Sequence, residues 1–172
     1  MSIKKISFFV LTILLLSISC AEVKKEETSI IADEKVDFEL EKAAILETLN
    51  NETKAAFRRD YEGWKDHWIH DPSITKTYID FVENTFSESV GWEEISLFVK
   101  TFIEEHPEPE PIPKLVDNID VRLYKNGAWV IYEQHDALRG LKRETRLMEK
   151  ENGQWKIAGM QTTIYGFETD EN

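Results

Sequence analysis

The C-terminal half of the chain alternates apolar and polar residues and is broken by short turns. Four segments follow one another there: 121–124, 128–137, which is rich in Trp, Val, Ile and Tyr, 142–150 and 154–164. Asn126-Gly127 and Asn152-Gly153 lie between neighbouring segments, and Arg139-Gly140 marks the remaining break. Asn-Gly is typical of two-residue hairpin turns because both residues accept positive φ. The pattern therefore predicts four consecutive antiparallel strands.

The N-terminal half repeats apolar residues at steps of three and four. This spacing predicts a helix over 38–59 that begins after the N-cap Asp37, and a shorter helix over 61–69. The side chains expected on the buried side are Leu46, Leu49, Thr53, Phe57, Tyr61, Trp64 and Trp68. Those expected on the solvent side are Glu41, Lys42, Asn51, Glu52 and Arg58.

Two further elements are predicted between the helices and the four strands. β-branched residues favour a short strand over 74–81, and a third helix over 92–105 follows Gly91. The buried face of that helix is predicted to hold Ile95, Phe98, Val99, Phe102 and Ile103. Two helices, a strand, a helix and four strands indicate an α+β domain in which a curved antiparallel sheet wraps around helices on one face.

The first residues are typical of a secretory signal rather than of the folded domain. Lys4 and Lys5 precede an apolar run, and small residues lead to Cys20. The segment 16–20, Leu-Ser-Ile-Ser-Cys, resembles the lipobox of bacterial lipoproteins, which implies a signal peptide over 1–19 and a lipid on Cys20. An ordinary signal peptide that happens to contain a cysteine is the alternative. We expect a flexible tether over 20–36, one domain over 37–168 and a tail over 169–172.

Charge and cysteine content narrow the partners and the chemistry. The formal charge is −12, and loss of Lys4 and Lys5 with the signal would make it about −14, so nucleic acid and anionic lipid headgroups should be repelled. The lipid on Cys20 would then be what holds the protein at the bacterial cell envelope, on the periplasmic or the outer face. Because Cys20 is the only cysteine, we expect no internal disulfide and no thiolate metal site or nucleophile.

Several motifs resemble the nuclear-transport-factor-2-like (NTF2-like) superfamily, in particular its SnoaL-like and uncharacterised bacterial branches. They lie at 60–64 with Trp68, at 90–95, at 128–134, and at 143–150 leading into 153–157. The resemblance covers nearly all of 38–167. It implies a cone-shaped sheet with a pocket against the helices, and a homodimer formed through the sheet. It does not imply one activity, because the superfamily includes isomerases, dehydratases and non-catalytic binding modules.

Strand parity indicates which side chains could reach such a pocket. We assign Tyr132, Gln134, Glu144, Arg146 and Met160 to the concave face, where Glu144 and Arg146 could pair and offer an arginine to an anionic ligand. A salt bridge on a solvated sheet face is the alternative. Trp64, His67, Trp68 and Tyr78 are assigned to the pocket as well. For Trp64 and Trp68 the alternative is core packing. His67 and His70 lack a third ligand, so we predict no metal site.

The leading hypothesis is a lipid-anchored, non-catalytic module that binds a small apolar or carboxylate-bearing molecule without a cofactor. An acid–base enzyme, an isomerase or dehydratase acting on a small carbonyl compound, is the second. It would need a base and an oxyanion donor in the pocket. The candidate bases are Asp80, Asp136 and His135, and the candidate donors are Tyr78 and Tyr132. A structural protein whose cone is filled by its own side chains is the third.

Overall fold

The structure, a computed structural model, describes residues 37–136 and 139–166. The helices are α1 (Phe38–Phe57), α2 (Tyr61–Lys65) and α3 (Trp92–Glu105). The strands are β1 (Thr75–Asp80), β2 (Thr85–Val90), β3 (Asp120–Leu123), β4 (Gly127–Asp136), β5 (Gly140–Glu151) and β6 (Gln154–Ile164). Cys20, the signal peptide, the tether and the tail lie outside the described residues. None of the described helices is long and apolar enough to span a membrane.

The six strands form one curved, open sheet in the order β2-β1-β6-β5-β4-β3. The predicted helices, strand and four-strand meander are all present. The expectation of a wholly antiparallel sheet is wrong at one place, because β1 and β6 run parallel. No hairpin joins these two strands: α3 and four other strands lie between β1 and β6 along the chain, so no turn forces them to be antiparallel.

Strand β2 was not predicted from the sequence. It pairs with β1 and forms an edge of the sheet, where five of its six residues are exposed. Its apolar residues Phe86 and Val90 are exposed and separated by three polar residues, so β2 carries no continuous apolar face. Asn84, at φ 51°, lies in the turn that joins β1 to β2. The pattern that identifies a half-buried strand is absent from an exposed edge.

The two Asn-Gly turns differ. Asn152 and Gly153 have φ of 52° and 82°, as a type I′ hairpin turn requires, and they join β5 to β6 directly. Gly127 instead opens β4, and its carbonyl accepts from the Tyr124 amide at 2.8 Å. Neither Asn126 nor Gly127 has a positive φ. The hairpin predicted there exists, but its connection is longer than two residues.

A bulge in β6 anchors the segment that follows α2. Leu147 pairs with Gly159 while Met148 pairs with Ile157, so β6 carries one extra residue at this point. Ile157 donates to the His67 carbonyl at 2.8 Å and accepts from the Ile69 amide at 2.9 Å. This bridge takes the backbone out of the helix, so α2 ends at Lys65 rather than at residue 69.

The buried residues of the helices differ in part from those that the sequence predicted. Asp37 caps α1 as expected, accepting from the Glu39 and Leu40 amides. The buried residues of α1 are Ile45, Leu49, Glu52 and Ala55. The placement of Glu52 on the solvent side was therefore wrong. In α3, Ile95 and Val99 are buried as expected, but Phe98 and Phe102 are 44% and 41% exposed because they line a cavity.

Candidate functional site

A cavity of about 1050 Å³ lies between the sheet and the helices. Apolar side chains of α1 and α3 form one wall, with Phe57, Phe98 and Phe102 among them. Tyr78, Tyr132 and Met160 belong to the sheet wall. Residues 107–119, which we call the strap, supply part of a third wall. The expectation of a hollow between the helices and the sheet is met.

Seven of the nine sequence-predicted pocket residues line this cavity: Trp64, Tyr78, Tyr132, Gln134, Glu144, Arg146 and Met160. Strand register brings the sheet residues together, since Tyr132 pairs with Glu144 and Arg146 pairs with Met160. Two of the nine are not among the described lining residues. Trp68 is fully buried in the core, and His67 lies beside it. Whether the seven bind a ligand stays a prediction.

Glu144 and Arg146 form a buried ion pair on the cavity wall. Arg146 Nη1 donates to Glu144 Oε2 at 2.7 Å, and the two residues are 5% and 3% exposed. The Thr162 hydroxyl donates to the same oxygen at 2.7 Å, while Lys142 Nζ lies 3.3 Å from Oε1. The alternative of a solvated salt bridge is therefore excluded.

The surroundings of this pair keep both partners charged. Burial raises the pKa of Glu144, but Arg146, Lys142 and the Thr162 hydrogen bond outweigh it, and the net shift is downward. Burial lowers the pKa of Arg146, but Glu144, Tyr132, Glu52 and Tyr78 together outweigh burial, and the net shift is upward. Burial raises the pKa of Tyr132 far above its ordinary value, so its phenol stays protonated.

Arg146 has hydrogen-bonding capacity that the described residues do not use. Its Nε is fully buried and has no hydrogen-bond partner, and it is the one such side-chain atom within 37–136 and 139–166. The guanidinium lies 5.9 Å from the centre of the Tyr132 ring. Most buried N–H groups are hydrogen-bonded, so this orphan is an exception, and it belongs to a residue that lines the cavity.

Lys76 places a second buried cation on the same cavity. Its residue is 7% exposed, its Nζ donates to the Tyr78 hydroxyl at 2.5 Å, and it lies over the rings of Tyr78 and Phe98 at 4.2 and 5.1 Å. No carboxylate of the described residues forms an ion pair with it. Sequence reasoning missed Lys76. Its position two residues before Tyr78 on β1, on the same face, was the available signal.

Glu52 brings a carboxylate to the cavity from α1. It is 8% exposed, and its Oε1 accepts from the indole nitrogens of Trp64 at 2.7 Å and of Trp68 at 3.4 Å. The two indole rings lie 5.3 Å apart. Both tryptophans are therefore core residues, as their alternative interpretation held, although Trp64 also lines the cavity. Helical periodicity could not predict that Glu52 is buried, because a charged residue in such a pattern is assigned to the solvent side.

The histidines do not form a functional cluster. Burial lowers the pKa of His67, which keeps its imidazole neutral near pH 7. His70 stacks on Trp92 with ring centres 3.8 Å apart, and its Nε2 lies 3.0 Å from the Lys65 carbonyl. Among the residues that the structure describes, no group of three or more His, Cys, Asp or Glu side chains could hold a metal ion.

Two of the three candidate bases of the enzyme hypothesis, Asp80 and His135, have side chains that the structure describes. Asp80 does not line the cavity. Its carboxylate accepts from the amides of Val82 and Glu83 and lies 3.6 Å from Arg139. His135 lies on the cavity wall but is exposed. The side chain of Asp136 lies outside the described part of the structure.

The strap lines the cavity and is attached to the rest of the chain near both of its ends. Near its start, Arg59 Nε donates to the His106 carbonyl at 2.7 Å, and Arg59 also pairs with Glu110. Near its end, the Asn50 amide exchanges two hydrogen bonds with the Val116 backbone, at 2.9 and 3.0 Å. Lys42 Nζ also donates to Asn118 Oδ1 at 3.0 Å. These contacts attach the proline-rich strap to α1 and to Arg59, two residues after the end of α1.

No protein-family model and no curated protein matches the sequence. Solved structures do resemble the fold. An NTF2-like protein of unknown function from Shewanella oneidensis is 18% identical, with a TM-score of 0.51 over 70% of this chain and 97% of that chain. A cystatin-like fold protein from Burkholderia xenovorans is 18% identical, with a TM-score of 0.54 over 73% and 92%.

The beta subunit of benzoate 1,2-dioxygenase from Burkholderia mallei is 11% identical, with a TM-score of 0.56 over 72% of this chain and 89% of that chain. At such identities the likeness shows the fold and nothing of the activity. The helices and the open, curved sheet described above agree with these neighbours in architecture. The chain therefore has the fold of the NTF2-like superfamily.

Proposed function

We propose that this protein is a binding module for a small organic molecule that carries a carboxylate on an apolar body. The observation that carries the proposal is the buried Arg146, whose Nε has no hydrogen-bond partner among the described residues. A carboxylate accepts well from a guanidinium, whose fork of N–H donors matches its two oxygens. Such a ligand would meet the guanidinium where Arg146 lines the cavity.

The rest of the cavity supports an anionic, partly apolar ligand. Its volume of about 1050 Å³ is at the upper end of ordinary ligand cavities, which hold about 300–1,000 Å³. Lys76 adds a second cation without a carboxylate partner in the described chain, and Phe57, Phe98 and Met160 offer apolar walls. A few polar groups on largely apolar walls are typical of small-molecule sites.

The two other hypotheses receive less support. An acid–base enzyme needs a base within hydrogen-bond reach of the substrate and near a donor. Asp80 is engaged by backbone amides away from the cavity, and His135 is exposed. A structural protein with a filled interior is hard to reconcile with a cavity of about 1050 Å³.

Isothermal titration calorimetry with caproate and benzoate, against hexanol and benzyl alcohol, tests the binding proposal. We expect the carboxylates to bind and the alcohols to bind at least about tenfold more weakly, and we expect Arg146→Gln to remove this preference. Arg143→Gln, on the opposite face of β5 and exposed, is the matched control. Circular dichroism checks that Arg146→Gln folds, and Lys76→Met offers a second variant. Equal binding of acids and alcohols would contradict the proposal.

We also propose that the protein is held at the bacterial cell envelope by a lipid on Cys20. The support is the short apolar run that ends at the only cysteine of the chain. Mass spectrometry of the N-terminal peptide from membrane fractions should find a diacylglycerol on Cys20, and Cys20→Ser should release the protein from the membrane. An unmodified thiol in those fractions would rule the anchor out.

A homodimer formed through the sheet is the last part of the proposal. Trp129 and Leu147 are paired across β4 and β5, on the face turned away from the cavity, and they are 45% and 40% exposed. Large apolar side chains on an open sheet face are what a partner subunit would cover.

A further inference from the structure

We propose that Glu52 is a second ligand contact in the same cavity, one that selects molecules bearing an ammonium or hydroxyl group as well as a carboxylate. The inference rests on the proposed function, since it assumes that Arg146 receives the carboxylate. It adds a carboxylate to a cavity that also holds the buried cations Arg146 and Lys76. The expected ligand class is therefore an amino- or hydroxy-carboxylate with an apolar body.

The first step is the state of Glu52 itself. The residue is 8% exposed and lines the cavity, and no lysine or arginine of the described chain forms an ion pair with it. Its Oε1 already accepts from the indoles of Trp64 and Trp68. Those bonds leave Oε2 as the free acceptor. A buried carboxylate without a cation is costly, so a ligand that supplies one would be favoured there.

The second step is that holding the two indoles does not require a charge. The carbonyl oxygen of a glutamine at position 52 could accept from Trp64 and Trp68 with the same geometry, at lower desolvation cost. The packing of α1 on α2 therefore does not account for a carboxylate here. A positively charged or hydroxyl-bearing ligand does account for it, because charge-assisted hydrogen bonds are the stronger kind.

The third step is that Glu52 shares its cavity with the unpartnered donor of Arg146 and with Lys76. Burial raises the pKa of Tyr132. The charge of Glu52 raises this pKa further and the charge of Arg146 lowers it, so both charged groups act on the same tyrosine. The aromatic and aliphatic walls include Phe57, Phe98 and Met160. A molecule with opposite polar ends and an apolar middle matches this distribution of groups.

The probes are γ-aminobutyrate, δ-aminovalerate and ε-aminocaproate, each compared with the unsubstituted acid of the same length and, for the longest, with ε-hydroxycaproate. Isothermal titration calorimetry measures each against the wild-type domain, Glu52→Gln and Glu47→Gln. Glu47 is an exposed glutamate of α1 and serves as the control. The length series allows for the spacing between Glu52 and Arg146. Circular dichroism and tryptophan fluorescence report whether Glu52→Gln keeps its fold and its indole contacts.

We expect at least one amino acid of the series to bind the wild-type domain about tenfold more tightly than its unsubstituted partner, as one charge-assisted hydrogen bond would give. Glu52→Gln should lose that ratio while still binding caproate, and Glu47→Gln should keep it. A ratio near one in the wild type, or one that survives Glu52→Gln, overturns the inference while caproate binding leaves the proposed function standing. If no carboxylate binds any variant, both fall.

Discussion

Arg146 depends on Glu144 for its stability inside the protein. If Glu144 is replaced by Ala, the guanidinium stays buried without its counter-charge. Removing one partner of a buried pair costs about 3–5 kcal/mol. We predict that Glu144→Ala lowers the free energy of unfolding by about this amount in urea titrations.

The control for this prediction is Glu151→Ala, which removes an ion pair with Lys156 at 2.7 Å on the same hairpin. Glu151 is exposed, so its loss should cost only about 0–1 kcal/mol. Equal losses in the two variants would contradict the view that burial makes the Glu144–Arg146 pair indispensable.

The same carboxylate gives the stability a dependence on pH. Burial raises the pKa of Glu144, but Arg146 and the other donors carry the net shift below the ordinary value of 4.5. A depressed folded-state pKa stabilises the fold above the unfolded-state pKa, and this contribution is lost as the pH falls through the folded-state value. The difference in unfolding free energy between wild type and Glu144→Ala should therefore shrink from about pH 7 to about pH 3. A difference that stays constant over this range would contradict the assignment.

Only some of the polar residues of the cavity could be placed there from the sequence. The concave placement of Tyr132, Glu144 and Arg146 could be predicted, because the side chains of a strand alternate between its faces. Glu52 and Lys76 could not, because a periodic pattern assigns charged residues to solvent. Each is buried through a long-range contact, Glu52 with Trp64 and Lys76 with Phe98. No local signal in the sequence encodes such contacts.

At the scale of elements, the strap is the segment whose attachment can be tested directly. Arg59 has a φ of 61°, donates to the His106 carbonyl and pairs with Glu110, while the Glu110 amide donates to the Phe57 carbonyl at 2.9 Å. We predict that Arg59→Asn, which tolerates the positive φ, makes the Glu110 amide exchange its hydrogen about tenfold faster. Hydrogen-exchange mass spectrometry or NMR measures this rate.

The neighbouring Arg58 provides the control for the strap. Its side chain is exposed, and no hydrogen bond or ion pair links it to the strap among the described residues. Arg58→Asn should therefore leave the Glu110 amide unchanged. If Arg59→Asn also left exchange unchanged, the attachments of Val116 and Asn118 to α1 would be sufficient to hold the strap.

Elements with a covered face were predictable, and those without one were not. The helix α3 was placed at its observed bounds because Gly91 precedes it and Ile95 and Val99 repeat at helical spacing. The edge strand β2 and the parallel pairing of β1 with β6 were missed, since the first has no buried face and the second joins segments far apart in sequence. The second matters for the cavity, because the parallel register aligns Lys76 with Met160 and both side chains line it.

At the scale of the whole molecule, the face of the sheet turned away from the cavity exposes two large apolar side chains. On that face Trp129 packs opposite Leu147, and Leu147 pairs with Gly159, which has no side chain. The proposed homodimer would bury these residues. We predict that the domain from Asp37 onward sediments as a dimer in analytical ultracentrifugation, and that Trp129→Lys shifts it to monomer. A lysine there would oppose its own copy near a two-fold axis and would have to be desolvated without a counter-charge.

A control variant and a binding measurement show whether Trp129→Lys affects dimerisation alone or also folding and ligand binding. Tyr124→Lys, another exposed aromatic outside the paired patch, is the control that should remain dimeric. Because the cavity lies on the other face of the sheet, monomeric Trp129→Lys should still bind caproate as the wild type does. A wild-type domain that stays monomeric at the highest attainable concentration would remove the dimer from the proposal. The cavity and its charged groups come from one chain, so the binding function would not fall with it.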